Sequence, residues 1–152
     1  MTRKEKAVGN FYKGYNCSQA LTLAFADLLP IEEDTLLRLE SSFGGGMGRL
    51  REVCGAVSGM FAVAGLLYGY SDPETGAVKA EHYKRIQELA KAFEDKYGSI
   101  VCRELLGTGG RSTPTPSPRT EEYYKKRPCP ELIGYAAQVL DEYILRYPPQ
   151  IK

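Results

Sequence analysis

Four cysteines, Cys17, Cys54, Cys102 and Cys129, are the residues in this 152-residue chain best suited to chemistry. Thiolate sulfur binds soft metals, attacks disulfides and reacts with oxidants. No two of the four form a C-x-x-C pair, which removes the thioredoxin motif, the zinc-ribbon pattern and c-type haem attachment. Free cysteine is also a common buried core residue, so count alone does not make a site. Local setting says more. Cys17 opens "CSQALTLAF", Cys54 follows a glycine-rich turn into the first turns of an apolar run, and Cys102 opens "CRELLG". Cys129 directly precedes Pro130, which suits a first helical position and makes Cys129 an N-cap. All four thus stand at or near expected helix N-termini. Free N–H groups and the positive end of the helix dipole favour thiolate there, so lowered thiol pKa values are expected.

Other chemistry has little support. His82, the single histidine, lies in the charged stretch "KAEHYKRIQE" and reads as an exposed side chain. No nucleophile elbow is present. "GGGMGR" lacks the Gly-Lys-Ser/Thr ending and the preceding strand of a phosphate loop. Arg49 and Arg51 precede Cys54, and Arg103 follows Cys102. These arginines could offset negative charge on the sulfurs, although Arg51 reads first as an ordinary solvated charge.

The elements that would carry the cysteines are helices. Ala7, Val8, Phe11 and Tyr12 mark a first helix stopped at Gly14; Ala20 through Leu28 mark a second stopped at Pro30. A third carries Leu36, Leu37, Glu40 and Phe43 and is opened by acids at residues 32–34, where they suit the helix dipole. A fourth is expected from about Leu50 to Tyr68, and a long amphipathic helix carrying Tyr83, Ile86, Leu89 and Phe93 ends at Gly98. "SIVCRELLG" reads as a short helix and "TEEYYKKR" as another short segment; the last helix starts at Pro130. Residues 107–120 hold no core-forming side chains, and alternating Pro114, Pro116 and Pro118 keep them extended, so a mobile loop is expected. No strand alternation and no internal repeat is visible. The fold class is all-α: one domain over residues 1–152, a bundle of about five to seven helices around a central Gly/Ala-rich apolar helix.

That central run, Val53 to Tyr70, has no charged residue and approaches transmembrane length. Its glycines, Ser58 and the amphipathic helices around it fit a buried bundle helix better. Gly55, Gly59, Ala62, Gly65 and Gly69 would let neighbouring backbones approach closely. Gly45 and Gly46, in the turn before it, would bring backbone near Cys54.

Charged residues make up 26% of the chain with a net charge of +1, which favours neither nucleic acid nor an anionic membrane as a partner. "MTRKEKAVGNFYKGY" has no signal-peptide core, so a cytoplasmic setting with reduced thiols is expected.

"NCSQAL", "FGGGMGRLREVCGAVSGMFAVAGLLYG", "GSIVCRELLG" and the cysteine of "RPCPEL" resemble, in this order, the C_GCAxxG_C_C family of redox-active proteins. The resemblance covers nearly the whole chain. One departure lies in the central block. It reads Cys54-Gly55-Ala56-Val57-Ser58-Gly59, with the cysteine one place earlier than in G-C-A-x-x-G. The resemblance implies a redox role for the four cysteines. In related domains joined to haem-binding segments of cytochromes the cysteines are associated with an iron–sulfur cluster. This chain lacks C-x-x-C-H, so haem is not implied for it.

Three readings follow. Cys17, Cys54, Cys102 and Cys129 hold an iron–sulfur centre of [2Fe–2S] type for electron transfer with a partner protein, with Gly45, Gly46, Arg49, Gly55 and Gly59 packed around them. Alternatively, the same cysteines cycle between dithiol and disulfide. In the third they bind structural zinc, or the domain is a plain interaction module whose apolar helix face would make a homodimer. The sequence supports no general acid–base pair and hence no enzyme activity of its own.

Overall fold

The computed structural model describes residues 1–74 and 76–150. Among these, eight α-helices form an all-α fold, one more than the upper expectation because two single-turn segments are helical. In chain order they are α1 (Arg3–Tyr12), α2 (Cys17–Leu23), α3 (Glu33–Glu40), α4 (Gly55–Tyr68), α5 (Gly76–Tyr97), α6 (Cys102–Leu106), α7 (Glu121–Lys126) and α8 (Cys129–Arg146). Local chemistry sets the starts that matter. Thr2 accepts from the Glu5 N–H at 3.0 Å to cap α1. Asn16 and Gln19 form a reciprocal capping box that fixes the start of α2, one residue before Cys17. Glu33 and Asp34 occupy the first turn of α3. The second helix ends earlier than Pro30: its last turns become a 3-10 turn at Ala26–Leu28.

The core lies between α2, α4 and α8. The α4 helix buries Ala56, Val57, Met60, Val63 and Ala64, and α8 buries Leu132, Ile133, Ala136, Ala137 and Leu140. Phe11 of α1 and Phe93 of α5 are also fully buried. Each of the Val, Leu, Ile, Met and Phe side chains so removed from water contributes about 1.5–3 kcal/mol before entropic costs, and each alanine methyl less. The α1 helix lies along α8 and α2, so the two ends of the described chain pack together. No described helix is long and apolar enough to cross a membrane.

The central helix begins at Gly55, not near Leu50. The preceding residues have a different geometry. Gly45, Gly46, Met47, Gly48 and Arg49 all have φ between 64° and 71°, and Arg51 follows at 61°. Five consecutive left-handed residues make one turn of left-handed helix. L-residues disfavour that conformation by about 1–2 kcal/mol each, and Met47, Arg49 and Arg51 are not glycine. The turn is closed by Glu52 N–H donating to Gly46 O at 2.9 Å and Arg51 N–H to Gly45 O at 3.3 Å. Beyond it, Val53 pairs antiparallel with Val101, and this bridge is the only β pairing among the described residues. Cys54 N–H donates to Ile100 O at 2.8 Å, and Cys102 N–H to Glu52 O at 2.6 Å. A helical start at Leu50 would forfeit this pairing.

Two further expectations are corrected. His82 is 9% exposed rather than a surface residue, packed edge-on to Tyr70 with Arg85 donating to its Nδ1 at 3.0 Å. Gly65 has open space where a Cβ would lie, so it does not serve a close helix approach. Gly59 does: a Cβ there would meet Ser18 O at 3.2 Å and Thr22 Cγ2 at 3.3 Å on α2.

Candidate thiol site

Four segments far apart in sequence bring their cysteines to one cavity of about 270 Å³. Cys17 is the first residue of α2, Cys102 of α6 and Cys129 of α8; Cys54 is the residue that caps α4. The expected N-cap role of Cys129 thus shifts by one residue, because Pro128 takes that place. All four thiols are free. Cys54 and Cys102 are 6% and 7% exposed.

The glycines make the cavity. Gly45 and Gly55 line it. A Cβ on Gly55 would lie 3.0 Å from Cys17 Sγ and 2.9 Å from Phe43 O. A Cβ on Gly46 would lie 2.6 Å from Cys102 Cβ and 2.9 Å from Arg51 Cα, and its φ of 71° disfavours any other residue. Gly46 therefore seats Cys102, and Gly55 leaves room for Cys17. Gly59 stands apart from the sulfurs and acts through the α2–α4 contact.

The electrostatics overturn the expected direction of the thiol pKa values. Burial pushes Cys17 up, Cys54 well up, and Cys129 up to about 12. The backbone N–H of Gly45 draws Cys17 down, and those of Ala56 and Val57 draw Cys54 down, as helix starts should. Desolvation is the larger effect at each, and neighbouring cysteines add to it. Burial thus favours the neutral thiol at Cys17, Cys54 and Cys129.

The cavity is also lined by four arginines, Arg49, Arg51, Arg119 and Arg127, and by no described Asp, Glu, Lys or His. Arg51 is not solvated; it is 3% exposed, and its Nη1 donates to Cys102 Sγ at 3.5 Å. Arg103 points elsewhere, paired with Glu52 at 3.3 Å. Arg119 and Arg127 gave no signal in the sequence, since each lies far from three of the four cysteines along the chain.

Residues 107–120 form a strap over this cavity. Pro114, Pro116 and Ser117 line it. Ser112 N–H donates to Arg49 O at 3.0 Å, and its Oγ accepts from Arg51 Nε at 2.9 Å. Arg49 Nε donates to Thr113 O at 2.7 Å. At the far end Arg119 donates to Phe11 O at 3.0 Å and Tyr15 O at 3.1 Å and stacks over the Phe11 ring. The segment that reads as a mobile loop is thus tied down at both ends.

The donor set suits a thiophilic occupant. It does not group as a single-ion site: among the described residues no three His, Cys, Asp or Glu side chains are arranged to hold one metal ion. Four sulfurs on one zinc would stand about 3.8 Å apart, from a Zn–S distance of about 2.3 Å. A polynuclear cluster shares its ligands among several irons and spreads the sulfurs more widely.

A family model described as "Putative redox-active protein (C_GCAxxG_C_C)" matches residues 15–143, a span that includes all four cysteines. No curated protein and no solved structure matches the chain.

Proposed function

This chain belongs to the C_GCAxxG_C_C family, and from that premise we propose that its four cysteines work as one redox site that holds an iron–sulfur cluster. The observation that carries the reading is the convergence of four helix-start cysteines on one glycine-walled cavity. Cys17, Cys54, Cys102 and Cys129 would hold the cluster, which supplies one-electron transfer when bound. The chain's own contribution is to shape and dry the cavity. Gly55 leaves room for Cys17, Gly46 lets Cys102 pack against the backbone, the 107–120 strap limits water, and N–H groups of Gly45, Ala56 and Val57 favour negative charge on the nearby sulfurs. A cluster fits better than dithiol exchange because all four thiols share one setting and two are almost wholly buried from any disulfide-bearing substrate. It fits better than structural zinc because the four cysteines include none of the closely spaced ligand pairs from which such sites are usually built. In this reading the domain exchanges electrons with a partner protein in a reducing cytoplasm.

The test is anoxic purification and reconstitution, followed by iron and acid-labile sulfide assay, visible absorption and electron paramagnetic resonance. Stoichiometric iron and sulfide, lost on substitution of each cysteine by serine, is expected, and the spectrum distinguishes [2Fe–2S] from larger clusters. A protein that stays colourless and iron-free after reconstitution overturns the proposal. Thiol loss under mild oxidation would then point to disulfide chemistry, and stoichiometric zinc to a structural metal.

A further inference from the structure

Four guanidinium groups surround this cavity with no carboxylate among them. Arg49 is close enough to Arg51 and Arg127 to feel the repulsion of both. Like charges gathered in a half-enclosed space destabilise an empty fold, and a negative occupant relieves them. Other buried or clustered groups have their partners within the protein: Glu40 accepts from Ser18, and His82 from Arg85. The arginine set has no carboxylate partner among the described residues: Arg51 donates to Ser112 and a sulfur, Arg49 to the Thr113 carbonyl, and Arg119 to the Phe11 and Tyr15 carbonyls, all of them neutral acceptors.

We propose that the cavity is anion-selective and that Arg51 is the positioning residue of the thiol site, donating to the Cys102 sulfur and so favouring negative charge at that corner of the cavity. Ser112 holds the guanidinium by accepting from its Nε, which leaves Nη1 directed at Cys102. The left-handed φ of Arg51 sends its side chain inward from a backbone that is itself locked to Gly45 and Arg103. The expected occupant is a small species of net negative charge. A four-thiolate cluster is one such species, so the proposal deepens the reading above, but the selectivity itself is a property of the metal-free chain.

That separation gives the test. Cys102 in reduced, metal-free protein is alkylated with iodoacetate, which is anionic, and with iodoacetamide, which is neutral, and the rates are read by peptide mass spectrometry. Their ratio cancels thiolate fraction and exposure. One positive charge about 6 Å away raises the local concentration of a monoanion about threefold even at the dielectric of water. The iodoacetate-to-iodoacetamide ratio at Cys102 is therefore expected to be at least about threefold higher in folded than in urea-unfolded protein. R51M should lose most of that preference, and R51K should keep part of it because charge remains while the fork is lost. A folded ratio equal to the unfolded one, or one unchanged in R51M, overturns the proposal whether or not iron binds. In protein that has taken up iron, R51M is expected to keep its iron but shift the midpoint potential to more negative values. An unmoved potential also overturns it. A colourless protein with the full alkylation preference would remove the cluster and leave the anion-selective cavity standing.

Discussion

The glycines of this chain have different roles, and alanine substitution separates them. At Gly46 an added methyl would stand 2.6 Å from Cys102 Cβ and 2.9 Å from Arg51 Cα, a backbone atom that cannot swing aside. The φ of 71° adds a conformational cost of about 1–2 kcal/mol, and overpacking adds about 1–3 kcal/mol. G46A should therefore lose about 2–5 kcal/mol, a large share of the 5–15 kcal/mol typical of a whole domain. At Gly55 the φ is helical, so the gain in helix propensity of up to about 1 kcal/mol offsets part of the overpacking against Phe43 O and Cys17 Sγ. At Gly65 a methyl meets nothing within 4 Å, and G65A should stabilise by about 0.5–1 kcal/mol. G46A and G65A then differ by at least about 2.5 kcal/mol, or about 5–10 °C in Tm for a chain of this size. Urea unfolding of reduced, chelator-treated protein measures the difference, with equal m-values as the check on two-state behaviour. If G46A falls within 1 kcal/mol of G65A, the claim that Gly46 is shaped around Cys102 is refuted.

Two further outcomes follow from buried or anchored groups. His82 has its pKa lowered by burial and then by Arg85, so the folded protein disfavours its protonation. A depressed folded-state pKa gives stability that is present above about 6.5 and lost as pH falls through the folded value. Wild type should therefore lose stability between pH 7 and pH 5 that H82Q does not lose, and parallel urea midpoints across that range would refute this. Arg119 holds the far end of the strap through Phe11 O and Tyr15 O. R119A should ease local opening by about 1 kcal/mol or more and speed labelling of Cys17 and Cys129 by neutral iodoacetamide at least about fivefold. An unchanged labelling rate would mean that the prolines hold the strap without it.

Helix content and the common setting of the cysteines were legible because both are local. Apolar spacing marks α1, α5 and α8, the run "SQALTLAF" marks the helix that starts beside Cys17, and Pro130 marks the start beside Cys129. The left-handed turn was legible only as a cluster of glycines, because Met47, Arg49 and Arg51 adopt a conformation that their residue types disfavour. Arg51 reads as surface in sequence since its partners, Ser112 and Cys102, lie 61 and 51 residues away. The thiol pKa values went the other way for a related reason. A helix start is a local feature, but the desolvation that outweighs it comes from distant segments closing over the sulfur.

The Val53–Val101 bridge has a consequence for the order of assembly. It joins Cys54 and Cys102 through the bonds of Cys54 to Ile100 and of Cys102 to Glu52. Half of the site is thus in place once α6 has been synthesised. Cys17 joins Cys54 and Cys102 through α2, which packs on α4, but Cys129 opens α8, along which α1 also packs. During synthesis the first helix must wait for the last before it is buried, so this is a contact of high order. Completion of the core and completion of the thiol site are therefore a single late event. A nascent or truncated chain lacking α8 has only three of the four cysteines, so the thiol site is completed by topology rather than by a separate gate.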